Sequence, residues 1–160
     1  MKKSIIPYIV SLLLCSCGFH LRGMIDIPTW LSPVAVVSHA NSKELEDLLK
    51  SQLKAYKITL SEEPSKAQYW LIINYSTLTQ KLVSIGSSTN SRQYQLILTT
   101  EYQLNKSNGQ VIKSPRTIQV SRQFTLNNDR ILGSNQEESL FIGEMRQETA
   151  VQMINRLSKQ

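Results

Sequence analysis

The chain has 160 residues, with 18 basic and 12 acidic side chains and a net charge of +6. That length is enough for one compact domain with a single core. Two cysteines, Cys15 and Cys17, and two histidines, His20 and His39, leave little material for thiol or metal chemistry.

The chain begins Lys2-Lys3, followed by an apolar run from Ile5 to Cys15. A short positive segment before some 7–15 apolar residues is a secretory signal, and the run is shorter than the roughly 20 residues that cross a bilayer. Leu14-Cys15-Ser16-Cys17 ends it. A branched aliphatic residue three places before a cysteine, with a small residue just before it, is the pattern at which a lipoprotein leader is cut. Residues 1–16 are therefore expected to be a signal peptide, and Cys17 the lipidated N-terminus carrying N-acyl and S-diacylglycerol groups. Gly18, rather than Asp, follows Cys17, which favours the outer membrane over the inner one as destination. Loss of the leader removes Cys15, so no disulfide can form within the mature chain.

Residues 17–33, with Pro28 and Pro33, read as the lipidated N-terminus and an extended linker; residues 34–160 read as one α+β domain. Val34-Ala35-Val36-Val37 is a short apolar run consistent with a buried strand. Asn41 and Glu44 form a candidate capping box, and Leu45, Leu48, Leu49, Leu53 and Tyr56 follow as one helical stripe. Tyr69-Trp70-Leu71-Ile72-Ile73 is apolar on both faces, as in a strand buried within a sheet. Residues 86–90 read as a loop. Tyr94, Leu96, Leu98, Thr100, Tyr102 and Leu104 then alternate with Gln93, Gln95, Thr99, Glu101 and Gln103, the signature of a half-buried strand. Asn108-Gly109 predicts a hairpin with a type I′ turn. In the next strand Ile118, Val120, Phe124 and Leu126 share one parity, and Pro115 points to an edge or a bulge. A final helix, capped at Ser134 with Glu137 or at Asn135 with Glu138, places Ile142, Met145, Thr149, Ala150, Met153, Ile154 and Leu157 on its inner face. The order is β-α-β-β-β-α: a single sheet of about four strands with two amphipathic helices on one face.

Catalysis requires a convergent set of reactive groups, and none is legible. No spacing matches a zinc site, a phosphate-cradling glycine loop or a nucleophile elbow. Glu44, Glu46 and Asp47 suit the start of a helix, where the macrodipole favours negative charge. The expected protein is not an enzyme and holds no cofactor or metal. A lipid-anchored hydrolase built on His39 and these carboxylates is the weaker reading. The positive excess falls in residues 81–130, where Lys81, Arg92, Lys106, Lys113, Arg116, Arg122 and Arg130 face only Glu101 and Asp129. An exported lipoprotein does not meet RNA, so nucleic acid is not the expected partner. Arg122 shares parity with Val120 and Phe124, so its charge must find a partner, reach the sheet rim or contact a ligand. Arg92 and Arg130, at strand or loop ends, can meet anionic lipid headgroups or a protein.

Cys17-Gly18-Phe19-His20-Leu21-Arg22-Gly23 resembles the mature start of the LptE family of lipopolysaccharide-assembly lipoproteins. The likeness continues through Tyr94-Gln95-Leu96-Ile97-Leu98, Arg122-Gln123-Phe124 and the Glu-rich start of the last helix. The resemblance implies an outer-membrane lipoprotein on the periplasmic side that plugs the LptD β-barrel. It also implies a part in lipopolysaccharide transport and lipopolysaccharide contact through basic side chains, for which Arg92, Arg122 and Arg130 are the candidates. The chain departs from the family pattern in having Ser87-Ser88-Thr89 where an arginine belongs, and Ser134 where a lysine belongs. The alternative is an unrelated periplasmic lipoprotein that binds a soluble anionic ligand or peptidoglycan.

Overall fold

A computed structural model describes residues 28–40, 42–85, 91–127 and 131–158. The elements are β1 (Val34–Ser38), α1 (Lys43–Ala55), β2 (Tyr69–Ile85), β3 (Ser91–Lys106), β4 (Val111–Asn127) and α2 (Ile131–Ser158). They form one four-stranded sheet in the order β1-β2-β3-β4. β1 runs parallel to β2, which requires a crossover, and α1 supplies it; the other pairs are antiparallel. The α+β class and the β-α-β-β-β-α order agree with the sequence pattern.

Both helices lie on one face of the sheet. Leu45, Leu49 and Leu53 of α1 meet Val34 and Val36 of β1 and Leu71 and Ile73 of β2 in one core. Met145, Ala150, Met153, Ile154 and Leu157 of α2 join it with Leu96, Leu98, Tyr102, Ile118, Val120 and Phe124 from β3 and β4. Two hydroxyl groups enter this core already satisfied. Thr149 donates to the Met145 carbonyl at 2.8 Å, and Thr100 bonds the Ser76 hydroxyl at 2.9 Å. On the opposite face Ile72 is also buried, so the first part of β2 is covered on both sides, as its unbroken apolar run predicts.

A β-bulge at Asn74 sets the rest of β2. Ile73 pairs with Tyr102, but Tyr75 pairs with the adjacent Glu101. The extra residue shifts the alternation by one. Ser76, Leu78, Gln80 and Leu82 thereby take the helix face, while Thr77, Thr79 and Lys81 take the outer one. The Asn74 side-chain amide donates to Glu101 Oε1 at 2.9 Å and ties the bulge to β3.

Four local expectations need correction. The hairpin at Asn108-Gly109 is not type I′. Among non-glycine described residues only Lys57 has positive φ, whereas Gly109 has φ +85. Gly109 N–H donates to the Lys106 carbonyl and Lys106 N–H donates to Gln110. The loop is therefore a tight turn over Ser107-Asn108, closed by one left-handed glycine. The final helix starts at Ile131, one turn before the expected caps. Ser134 is buried inside it and accepts a hydrogen bond from Asn127 N–H at 3.2 Å, joining β4 to α2. At α1 the N-cap is Ser42, whose side chain makes no capping bond; its hydroxyl instead bonds Ser38 at 3.3 Å. Asn41 lies outside the described residues, and the Glu44 carboxylate pairs with Arg146 of α2. The linker reading of 17–33 also stops short of its end: Thr29–Leu31 is a 3-10 turn and Leu31 is 1% exposed in the core. Pro115 sits where both expectations for it meet, in an edge strand and beside the irregular pairing of Tyr102 to Leu104.

Candidate functional site

The sheet offers two surfaces of different character. Its outer face bears no α-helix among the described residues; the 3-10 turn Pro64–Lys66 lies over its start, where Trp70 donates to the Pro64 carbonyl at 2.8 Å. Alternation places Thr77, Thr99 and Gln119 in one cross-strand row, Thr79, Ile97 and Ser121 in the next, and Lys81, Gln95 and Gln123 in a third. Glu101 sits between Tyr75 and Thr117. Apart from Lys81 and Glu101 these three rows and their border are uncharged, and the β4 members are all exposed. Strands of 16 and 17 residues make this face long; at about 3.3 Å per residue it extends for more than about 50 Å.

The helix face of the same strands carries two of the predicted cations. Arg92 pairs across the ladder with Leu126, Tyr94 with Phe124, and Leu96 with Arg122. The arginines therefore flank a stacked aromatic pair, Tyr94–Phe124, whose ring centroids are 5.7 Å apart. Arg92 is exposed near the end of β3. Arg122 resolves its position on a core face by pairing: its guanidinium donates to Glu148 Oε2 of α2 at 2.6 Å and to the Ser121 carbonyl at 3.0 Å. Gln152 in turn holds Glu148 through a 3.1 Å bond. Arg130 and Cys17 lie outside the described residues, as do loop 86–90 and the proposed signal segment. Glu148 had no signal in the sequence, because a strand residue and a helix residue that meet through the fold share no local spacing.

Two open cavities border the helices. One, of about 280 Å³, lies between the start of α1 and the middle of α2; Leu78 and Leu98 are its apolar members, with Lys43, Glu44 and Arg146 beside them. The other, of about 370 Å³, lies at the β1 edge between Val36, Lys50, Lys54, Leu60, Ser61 and Glu62. Neither gathers a nucleophile with a base. Among the described residues no three His, Cys, Asp or Glu side chains are grouped to hold a metal ion. His39 is exposed after β1, away from any such set.

Two titrating groups are shifted by the fold. Burial pushes the Tyr102 hydroxyl above its ordinary value, opposed by the positive charges of Arg156 and Arg116. Burial and the nearby Arg116 lower Lys113. Lys113 donates to the last carbonyls of α2, those of Arg156 and Leu157, at 2.9 and 3.2 Å. That is the role expected of a cation at a helix C-terminus. Both shifts have structural causes.

Comparison with known proteins agrees with this architecture. The chain is 26% identical over 147 residues to the LPS-assembly lipoprotein LptE of Pectobacterium atrosepticum, a match covering 91% of this chain and 79% of that protein. It is 27% identical over 146 residues to the protein of the same name from Photorhabdus laumondii, with the same coverage. Among solved structures, a minor lipoprotein from Acinetobacter baumannii aligns with a TM-score of 0.66 at 25% identity, covering 81% of this chain and 94% of that one. Lipoprotein B from Nitrosomonas europaea, at 17% identity and a TM-score of 0.72, shares the fold over 88% of this chain and 90% of its own. The lipopolysaccharide-assembly family LptE matches residues 31–157, which span every strand and both helices, and this chain belongs to that family.

Proposed function

We propose that this chain is an outer-membrane lipoprotein of lipopolysaccharide assembly, held to the periplasmic side by acylated Cys17 and seated as a plug in an LptD-type β-barrel. The observation that carries the barrel reading is the outer face of the sheet. A long surface of Thr, Gln and Ser that no α-helix covers suits the polar interior of an outer-membrane barrel, where an apolar face would not be wetted and a charged one would need partners. Family membership and the names of the Pectobacterium and Photorhabdus relatives support the lipopolysaccharide part. Membership of a lipopolysaccharide-assembly family supports a non-catalytic role.

In this reading Arg92, Arg122 and Arg130 contact lipopolysaccharide. Arg92 and Arg122 flank Tyr94 along the ladder, and Leu82, which pairs with Tyr94 on its other side, is 51% exposed; cations beside exposed apolar surface suit phosphate groups carried on an acylated sugar. Two experiments test the reading. Affinity purification of the chain from detergent-solubilised outer membranes is expected to recover an LptD-type barrel in near-equal amount. Recovery of the chain alone, under conditions that keep barrel complexes intact, removes the plug. Arg92→Glu combined with Arg130→Glu is expected to weaken lipopolysaccharide binding, as is raised salt; binding insensitive to both removes the assignment of these residues.

A further inference from the structure

The base of the domain is the end at which residues 1–27 join the described chain. Main-chain bonds stitch several segments together there. Gln68 and Tyr69 N–H donate to the Pro33 carbonyl at 3.0 and 3.2 Å, and Ser107 N–H donates to Gln68 at 3.0 Å. Thr59 N–H donates to the Ser32 hydroxyl at 3.1 Å. The chain entry, the turn after α1, the 3-10 turn Pro64–Lys66 and the β3–β4 hairpin therefore share one surface.

Exposed apolar and basic side chains are mixed on that surface. Trp30 is 40% exposed and Val111 53%. Trp30 is fixed edge-on to Tyr69, with ring centroids 5.2 Å apart. Tyr69 pairs across the ladder with Lys106, and Val111 with the adjacent Asn105. Lys57 and Lys66 are exposed on the same end. Glu62 and Glu63 oppose them, Glu63 through a 2.9 Å pair with Lys66, but Lys57 and Lys106 have no carboxylate partner among the described residues. Not every basal cation is available: Lys54 stands in the last turn of α1 and Lys113 caps α2, so the helix dipoles account for those two. They do not account for Lys106, and Lys57, just past the C-cap of α1, is exposed.

We infer that this base is a second membrane contact beside the acyl anchor. Trp30 and Val111 enter the headgroup layer, while Lys57, Lys66 and Lys106 lie against anionic phospholipid headgroups. Tryptophan favours the membrane–water boundary, and clustered lysines are drawn to an anionic surface over about one Debye length. Geometry favours a lipid occupant. The residues between Cys17 and Pro28 span at most about 40 Å even when fully extended, so the tether holds the base, rather than the far end of the strands, near the bilayer. The inference rests on the lipoprotein reading above.

The chain contains two tryptophans, so Trp70→Phe leaves Trp30 as the sole tryptophan, excited apart from the tyrosines at the red edge. The acylated full chain is reconstituted into phosphatidylcholine vesicles, with or without phosphatidylglycerol, carrying a headgroup spin label. Quenching of Trp30 is expected to be several-fold stronger with phosphatidylglycerol, and the excess is expected to vanish in high salt and in Lys57→Glu/Lys106→Glu. Equal quenching in both vesicle types, unchanged in that variant, means that the tether alone brings Trp30 near, and overturns the inference. Quenching abolished by a bound barrel assigns the surface to protein and overturns it too. Trp70 donates to the Pro64 carbonyl at 2.8 Å; should its replacement lower stability, the unaltered chain compared with Trp30→Phe reads the same difference. The acyl mass and barrel recovery of the same sample separate the two failures. A chain without acyl groups contradicts the lipoprotein reading, whereas an acylated chain lacking charge-dependent quenching contradicts only the basal contact.

Discussion

Arg122 owes its place on a core-facing parity to one neighbour, and the strength of that link decides how its replacement will read. The Arg122–Glu148 pair is 2.6 Å long, but its side chains are 36% and 38% exposed. Solvent screening at that exposure limits the pair to about 0–1 kcal/mol. Arg122→Ala is accordingly expected to cost less than about 1 kcal/mol in urea unfolding, leaving the fold intact for a lipopolysaccharide-binding assay; a loss of several kcal/mol would make Arg122 a core element instead. Tyr102 presents the opposite case, a buried group whose ionisation the fold resists. Its folded pKa is raised above the ordinary 10.0 by burial, against the opposing charges of Arg156 and Arg116. A phenol whose folded pKa exceeds its unfolded one contributes full stability below the unfolded value, and loses it as pH rises from there through the folded value. Stability is expected to fall above about pH 10, and Tyr102→Phe, which cannot ionise, is expected to flatten that fall. An alkaline limb of the same slope in the variant would locate the sensitivity elsewhere.

At the scale of elements, the β3–β4 hairpin turns on Gly109, which has φ +85 with nothing within 4 Å of an added Cβ. The cost of Gly109→Ala is therefore backbone strain without a clash, about 1 kcal/mol or somewhat more. Denaturant midpoints will measure it, and a neutral result would mean that the turn relaxes to another type. The hairpin also marks what was legible in the sequence. Alternation from Gln93 to Leu104 and the stripe from Leu45 to Leu53 gave their elements directly, because the burial of one face imposes the period on adjacent residues. The turn type was not legible: Asn-Gly suits two geometries, and pairing across the strands chooses between them. Nor was the bulge at Asn74, since one unpaired residue in β2 shows itself only against Glu101 of β3. The start of α2 was misplaced for a related reason. Ser134 has the chemistry of a cap, yet its hydroxyl serves Asn127 of the preceding strand, a tertiary use of a residue whose local reading was sound. Of the candidate site, the parity of Arg122 was legible, but its partner Glu148 and the Tyr94–Phe124 stack between the arginines depend on packing.

For the whole molecule the division of faces is the property from which function follows. Both helices cover one side, and their core holds Leu45, Leu49, Met145 and Met153 essentially free of solvent. The opposite side leaves Thr79, Gln119 and Gln123 exposed. Substitutions there touch no core residue, so they fall among surface changes that alter stability by about 0.5 kcal/mol or less. A barrel lumen that accommodates this uncharged surface will nevertheless resist buried carboxylates without partners, because desolvation of an unpaired charge is costly. Thr79→Glu with Gln119→Glu is therefore expected to leave thermal unfolding of the isolated chain nearly unchanged while sharply lowering barrel recovery from outer membranes. A control pair on the exposed side of α1, Ser51→Glu with Lys54→Gln, makes the same change of two charges at a surface outside the proposed lumen contact, and barrel recovery is expected to persist. If both pairs lower recovery equally, net charge rather than the sheet face governs association. If neither does, the outer face is not the surface that the barrel encloses.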